Sequence, residues 1–202
     1  MAMKGQIVDA GIVSVPKRRN SWEENARIKE GDVPDWAENK RRRKDVDARW
    51  TKKNGTSFYG YKNHISVDVK HKMIRSYAVT DATLHDNKVF EQLLADNTSK
   101  DVRADSAYRS ADRLERLTKD GFREHIQRKG SRCHPLTPRE QEGNRTRSGI
   151  RSRIEHIFGV QAQRAGNLLL RTIGIGRAWA KIGLRNLAYN IDRMGMLLAT
   201  SR

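Results

Sequence analysis

Apolar residues along this chain follow two rhythms, one of strands and one of helices, separated by polar stretches. Residues 5–15 (GQIVDAGIVSV) are rich in Ile and Val and read as a strand interrupted by Asp9. Residues 58–69 (FYGYKNHISVDV) alternate apolar and polar positions, as a half-buried strand does. Residues 73–80 (MIRSYAVT) follow a tight VKHK turn, which predicts a hairpin. Residues 86–95 place Val89, Leu93 and Leu94 on one side of a helix. Residues 101–108 (DVRADSAY) predict a short strand with a polar end, 110–119 a helix capped by Ser110 and closed by Gly121, and 123–127 another strand. Polar residues 130–149 predict a loop. Residues 150–165 then predict a helix with Ile150, Ile154, Ile157 and Phe158 as its buried stripe. A last helix over 177–198 gathers Ala180, Leu184, Leu187, Ala188, Ile191, Met194 and Leu198 on one face. The order implies an α/β fold, a mixed sheet flanked by helices.

Residues 16–56 fit neither rhythm and predict a basic excursion between the first two strands, with one short helix starting at a Ser21 cap. By composition the excursion could be a disordered basic linker or an arm that contacts DNA. Trp22, Trp36 and Trp50 argue that parts of it pack.

Charge narrows the partner. Lys plus Arg number 41 against 24 Asp plus Glu, a formal net charge of +17 over 202 residues, while hydrophobic residues make up 36%. Such an excess points first to nucleic acid, because phosphate contacts gain from counterion release. The longest hydrophobic run is Met196 to Ala199, too short to span a bilayer. The start, MAMKGQIVDAGIV, lacks the apolar core of a secretion signal, and Cys133 is the single cysteine. A cytoplasmic protein without an intramolecular disulfide is the expectation.

Three carboxylates stand where apolar residues would be cheaper. Asp9 interrupts one strand, Asp105 another, and Glu155 lies beside the apolar stripe of a helix. Convergence of the three would make a divalent-cation site, since hard Mg²⁺ or Mn²⁺ takes oxygen ligands and keeps room for phosphate. Each has a plain alternative: Asp9 ends a strand, Asp105 caps a turn, Glu155 pairs with Arg151 one helical turn earlier. Arg147, Arg151, Arg153 and Arg164 make that helix basic, either as a solvated face or as one lying against DNA. Lys52, Lys53, Lys62 and His64, on or near the second strand, are further candidates for the DNA backbone, with an exposed basic strand face as the alternative.

The stretches QIVDAGIVSVPKRRNSWEEN, KDVDARWTKKNGTSFYGYKNHISVDVKHKMIRSYAVTDATLHD, VRADSAYRS, GIRSRIEHIFG and RTIGIGRAWAKIGLRNLAYNIDRM resemble insertion-sequence transposases of the DDE type, most closely the insertion-sequence-five family. The resemblance runs from Gln6 to the C-terminus and implies an RNase H-like catalytic core. It further implies that Asp9, Asp105 and Glu155 are the catalytic and metal-binding triad, that Mg²⁺ is the cofactor with Mn²⁺ able to substitute, and that the substrate is double-stranded DNA, transposon terminal inverted repeats and target, handled by a homodimer. Arg151 and Glu155 match the family's Tyr-Arg-Glu-Lys signature, Arg151 orienting a phosphate. The Tyr position falls on Ser148 and the Lys position on Ala162, leaving Arg164 as the candidate for the missing charge. The short interval between Asp105 and Glu155 leaves no room for a large inserted domain. Family members usually carry a further N-terminal DNA-binding region, so residues 1–202 are expected to be a single catalytic domain from a truncated or split-frame copy. Two readings compete with an active transposase: a non-catalytic DNA-binding remnant that interferes with a full-length copy, and a basic RNA-associated protein that needs none of the carboxylates.

Overall fold

Alternation along the first strand decides which side of the sheet each helix covers. In a computed structural model that describes residues 4–17, 20–94, 99–164 and 169–200, β1 spans Gln6–Ser14, with Ile7 and Val8 both buried on opposite faces. The remaining strands are β2 (Arg49–Lys53), β3 (Thr56–Asp68), β4 (Ile74–Asp81), β5 (Asp101–Arg103) and β6 (Arg123–Glu124). They form one mixed sheet in the order β2-β3-β1-β5-β6, with β4 also pairing β3. β1 runs antiparallel to β3 from Gln6 opposite Asp68 to Ser14 opposite Gly60, and parallel to β5, which in turn runs parallel to β6. With helices on both faces, this is the mixed α/β arrangement expected of an RNase H-like core.

The excursion is shorter and more ordered than a linker. Its last part is β2, paired with β3, and Thr56 already belongs to β3, so the connection proper covers residues 15–48. Helix α1 (Trp22–Lys29) starts at the Ser21 cap, where Ser21 and Glu24 exchange hydrogen bonds in a capping box. Glu24 also accepts from Trp36 Nε1 and Lys40 Nζ, tying α1 to α2 (Glu38–Arg41). Trp36 is buried, Trp50 half exposed, and Trp22 stands in solvent. Asp45 accepts from the backbone of Ala48, from Tyr61 Oη and from Gly174 N, which fastens the connection to the sheet and to the last helix.

One face of the sheet is closed by α3 (Phe90–Leu93) and α4 (Ala111–Lys119), around Val8, Val89, Phe90, Val102, Leu117 and Ile126. The expected helix over 86–95 is a 3₁₀ turn at Asp86–Lys88 followed by the single turn of α3, and the strand expected over 101–108 pairs only through Arg103. Ala95, Ala165, Arg18 and Arg19, which fall within expected segments, lie outside the described residues. The other face carries α5 (Pro138–Arg164) and α6 (Ile175–Ala199), which bury Ile154, Ile157, Ile182 and Tyr189.

Two expectations are corrected here. Residues 138–149, expected as loop, form the first half of α5: Pro138 takes the first helical position, and Thr137 and Glu140 exchange the hydrogen bonds of a capping box. On α6 the expected core stripe faces outward, with Leu184 64% and Ile191 63% exposed, and Leu187, Met194 and Leu198 about half exposed. The sheet instead meets Ala178, Ile182, Asn186 and Tyr189. Polar anchors select that face: Asn186 bonds Asn63 of β3, Asn190 pairs both ways with the Ile74 backbone, and Tyr189 Oη donates to Lys72 O. No helix among the described residues is long and apolar enough to cross a membrane.

Candidate active site

The parallel register of β1 and β5 sets Gln6 beside Val102 and Ile7 beside Arg103. Continued by two residues, the same register sets Asp9, in the middle of β1, beside Asp105, which lies two residues past the end of β5. Asp105 ends its strand by capping a 3₁₀ turn, its Oδ1 accepting from Ser106 N at 2.5 Å. Glu155 approaches from α5. The three carboxylates line one cleft of about 630 Å³, together with Gly11, Lys53, Asn63, Arg151, Gln161 and Arg185.

A close contact sets the helix against the strand. A Cβ on Gly11 would lie 2.7 Å from the Phe158 ring, so the missing side chain is what lets Phe158 rest on β1. One and two turns earlier on α5, Glu155 and Arg151 then face Asp9. Arg151 Nη1 donates to Asp9 Oδ2 at 2.8 Å and Nη2 to Glu155 Oε1 at 2.9 Å. Asp9 Oδ1 accepts from Ala10 N. Beneath the cleft, Gln161 and Asn63 both donate to Asn186 Oδ1, joining α5, β3 and α6.

Burial dominates the electrostatics. It raises the Asp9 carboxyl above the ordinary carboxylate value, against the opposing pull of the Ala10 N–H and the Arg151 and Lys53 charges; the nearby Asp105 charge adds to the rise. The Tyr108 phenol, three residues past Asp105, is pushed far up, first by burial and then by Asp9, Asp86 and Asp105. Burial lowers the Arg185 guanidinium.

The other residues proposed for DNA divide. Lys53 lines the cleft, and Lys52 is exposed beside it on β2. Arg147 does not line the cleft; its charge, with that of Arg153, falls on Arg103, whose guanidinium is lowered mainly by burial. Lys62 is held inward by Leu84 O and Asp86, and His64 is fully buried against Thr80 Oγ1. Arg164 pairs with Asp192 of α6 and stands outside the cleft. Arg185, from α6, was not legible as a site residue, because only the packing of that helix turns it toward the carboxylates.

A family model of the transposase DDE domain matches residues 2–191, nearly the whole chain. The chain belongs to the transposase DDE domain family. Its similarity to the transposase for insertion sequence element IS1106 of Neisseria meningitidis serogroup B is 31% identity over 149 residues, 73% of this chain and 51% of that protein. The chain thus spans about half the length of that relative. No solved structure gives a significant match. The family generally works with a divalent metal. Donor chemistry here fits such an ion, since the cleft presents three carboxylates and neither a thiolate nor an imidazole. Among the described residues, however, no three acidic, His or Cys side chains form a ready-made cage. The Arg151 guanidinium stands between two of the carboxylates. Of the family's signature, Arg151 and Glu155 share the cleft with Ala162 at the Lys position, and the positive charge there comes from Lys53 and Arg185 rather than Arg164.

Proposed function

We propose that residues 1–202 are a single catalytic domain that cleaves and joins DNA strands during transposition, with Asp9, Asp105 and Glu155 holding Mg²⁺, or Mn²⁺ in its place. The supporting observation is that these three carboxylates, from two strands and a helix, line one cleft with Arg151 among them. When bound, paired divalent cations supply Lewis-acid activation of the attacking oxygen and stabilise the departing one.

The chain's own groups bind and orient. Lys53 and Arg185 draw the phosphodiester of a transposon end into the cleft, and Lys52 and Arg147 hold flanking duplex. Arg151 meets the scissile phosphate with its two Nη groups. Asp9 and Asp105, fixed by the paired strands, define where water attacks. The bond from phosphorus to the 3′ oxygen breaks, leaving a 3′-hydroxyl and a 5′-phosphate. The 3′-hydroxyl then attacks a phosphodiester of target DNA in the same cleft, joining the strands and releasing a new 3′-hydroxyl. Handling two ends together calls for two copies of the chain, a homodimer on DNA.

The test is nicking of a duplex carrying the element's terminal repeat, in Mg²⁺ and in chelator, by the native chain and by Asp105→Asn. Mg²⁺-dependent nicking that Asp105→Asn abolishes supports the proposal. Cutting retained by Asp105→Asn would overturn the ligand role. Binding with no nicking by the native chain would overturn the catalytic reading in favour of a non-catalytic DNA-binding remnant.

A further inference from the structure

Two arginines of this fold, Arg113 and Arg151, differ in how they are held. Arg113 is saturated: Nε donates to Glu91, Nη1 to Asn87 Oδ1 and Tyr108 O, and Nη2 to Asn87 O. It is a structural arginine, tied to backbone as well as side chains. Arg151 is different. Its hydrogen bonds go to two carboxylates, Asp9 and Glu155, and its Nε is buried without a partner. Its side chain is 18% exposed, so the guanidinium is mostly out of water yet tied to no backbone carbonyl. The oxygens it holds, Asp9 Oδ2 and Glu155 Oε1, belong to the set a divalent cation would need. A carboxylate oxygen committed to a guanidinium N–H at 2.8–2.9 Å does not also coordinate a cation with full strength.

We propose that Arg151 and the divalent cation compete for Asp9 and Glu155, and that transfer of Arg151 to a DNA phosphate couples cation binding to DNA binding. This rests on the reading of the cleft as a cation-dependent nuclease site. A cation entering the carboxylates turns out a positive, largely desolvated side chain, which then requires an anion; a backbone phosphate in the cleft supplies one. In the reverse order, a phosphate that draws Arg151 away leaves Asp9 and Glu155 open to the cation. Linkage makes the two effects equal in free energy. The cleft is thereby biased against cations without DNA and toward them with it, so the hydrolytic machinery assembles on its substrate.

The test is calorimetric titration of Mn²⁺ into the full chain, native and Arg151→Gln, with and without a short duplex lacking the terminal repeat. Without DNA, Arg151→Gln is expected to bind Mn²⁺ at least about fivefold more tightly than the native chain, at the lower end of common coupling factors. Duplex is expected to tighten Mn²⁺ binding by the native chain by a similar factor and to leave Arg151→Gln unchanged. Should Arg151→Gln fail to fold, as judged by its melting in chelator, Arg151→Lys replaces it; one ammonium cannot bridge both carboxylates, and intermediate tightening is expected. Mn²⁺ binding by both proteins with equal affinity overturns the competition and leaves the nuclease reading intact. Absence of Mn²⁺ binding from both, or binding unchanged in Asp105→Asn, overturns the cation reading itself.

Discussion

Arg151 Nη1 stands 2.8 Å from Asp9 Oδ2, joining residues 142 positions apart in the chain. Asp9 is only 19% exposed, so its carboxylate needs that partner. Arg151→Gln is therefore expected to cost about 1–3 kcal/mol of stability in chelator, the range for a buried polar group left unpaired. Denaturant unfolding checks it. A double variant with Asp9→Asn should recover most of the loss, since the stranded charge is then gone.

Gly11 fixes how closely α5 approaches β1. Gly11→Ala is expected to force Phe158 off the strand at a cost of about 1–3 kcal/mol, the usual range for overpacking. Nicking should fall further than the lost stability explains, because Glu155 and Arg151 ride on the same helix. Adding Phe158→Leu should restore stability; thermal melting of the three proteins decides this.

His64 gives the fold an acid-sensitive point. Burial, assisted by the Lys62 charge and opposed by Asp86, lowers its imidazole from the ordinary 6.5 to about 4. The folded chain thus binds fewer protons than the unfolded chain between those values. Its stability is full above about pH 6.5 and declines as pH falls toward 4, by on the order of 3 kcal/mol. The loss from this group should be missing in His64→Gln, whose unfolding free energy, followed from pH 7 to 4, should be flatter than that of the native chain.

The two faces of α6 should respond oppositely. Ile182→Ala, in the core, is expected to cost about 2–5 kcal/mol. Leu184→Gln and Ile191→Gln, outside it, should stay within about 0.5 kcal/mol of the native value. Equal losses at all three positions would mean that the outward face is covered in solution.

Strand β3 was legible because its residues alternate over a long stretch, and β1 because it is rich in Ile and Val with Asp9 visibly interrupting it; β2 was not, since its polar residues read as part of the excursion. The first half of α5 was not, because residues 138–149 offer no apolar period; the Thr137–Glu140 capping box was the available signal. The outward face of α6 misled because burial there is decided by partners. Asn186 is buried against Asn63 and Gln161, while Leu187, a better hydrophobe a third of a turn away, is left about half exposed. Lys62 and His64 looked like a basic strand face, yet the segment around Leu84 and Asp86 folds back over them. Arg164 shares a helix with Glu155, but Asp192 of the neighbouring helix claims it.

The three acids differ in freedom. Asp9 stands within β1 and Asp105 just past the end of the neighbouring β5, each with one oxygen already engaged by backbone N–H, whereas the Glu155 side chain is 60% exposed at the end of a longer stem. Whatever they gather is located by the two short acids, and the long one follows it. On the proposed reading, the two short acids would keep a rigid origin for the attacking oxygen, and Glu155 would follow a phosphorus that shifts between hydrolysis and joining.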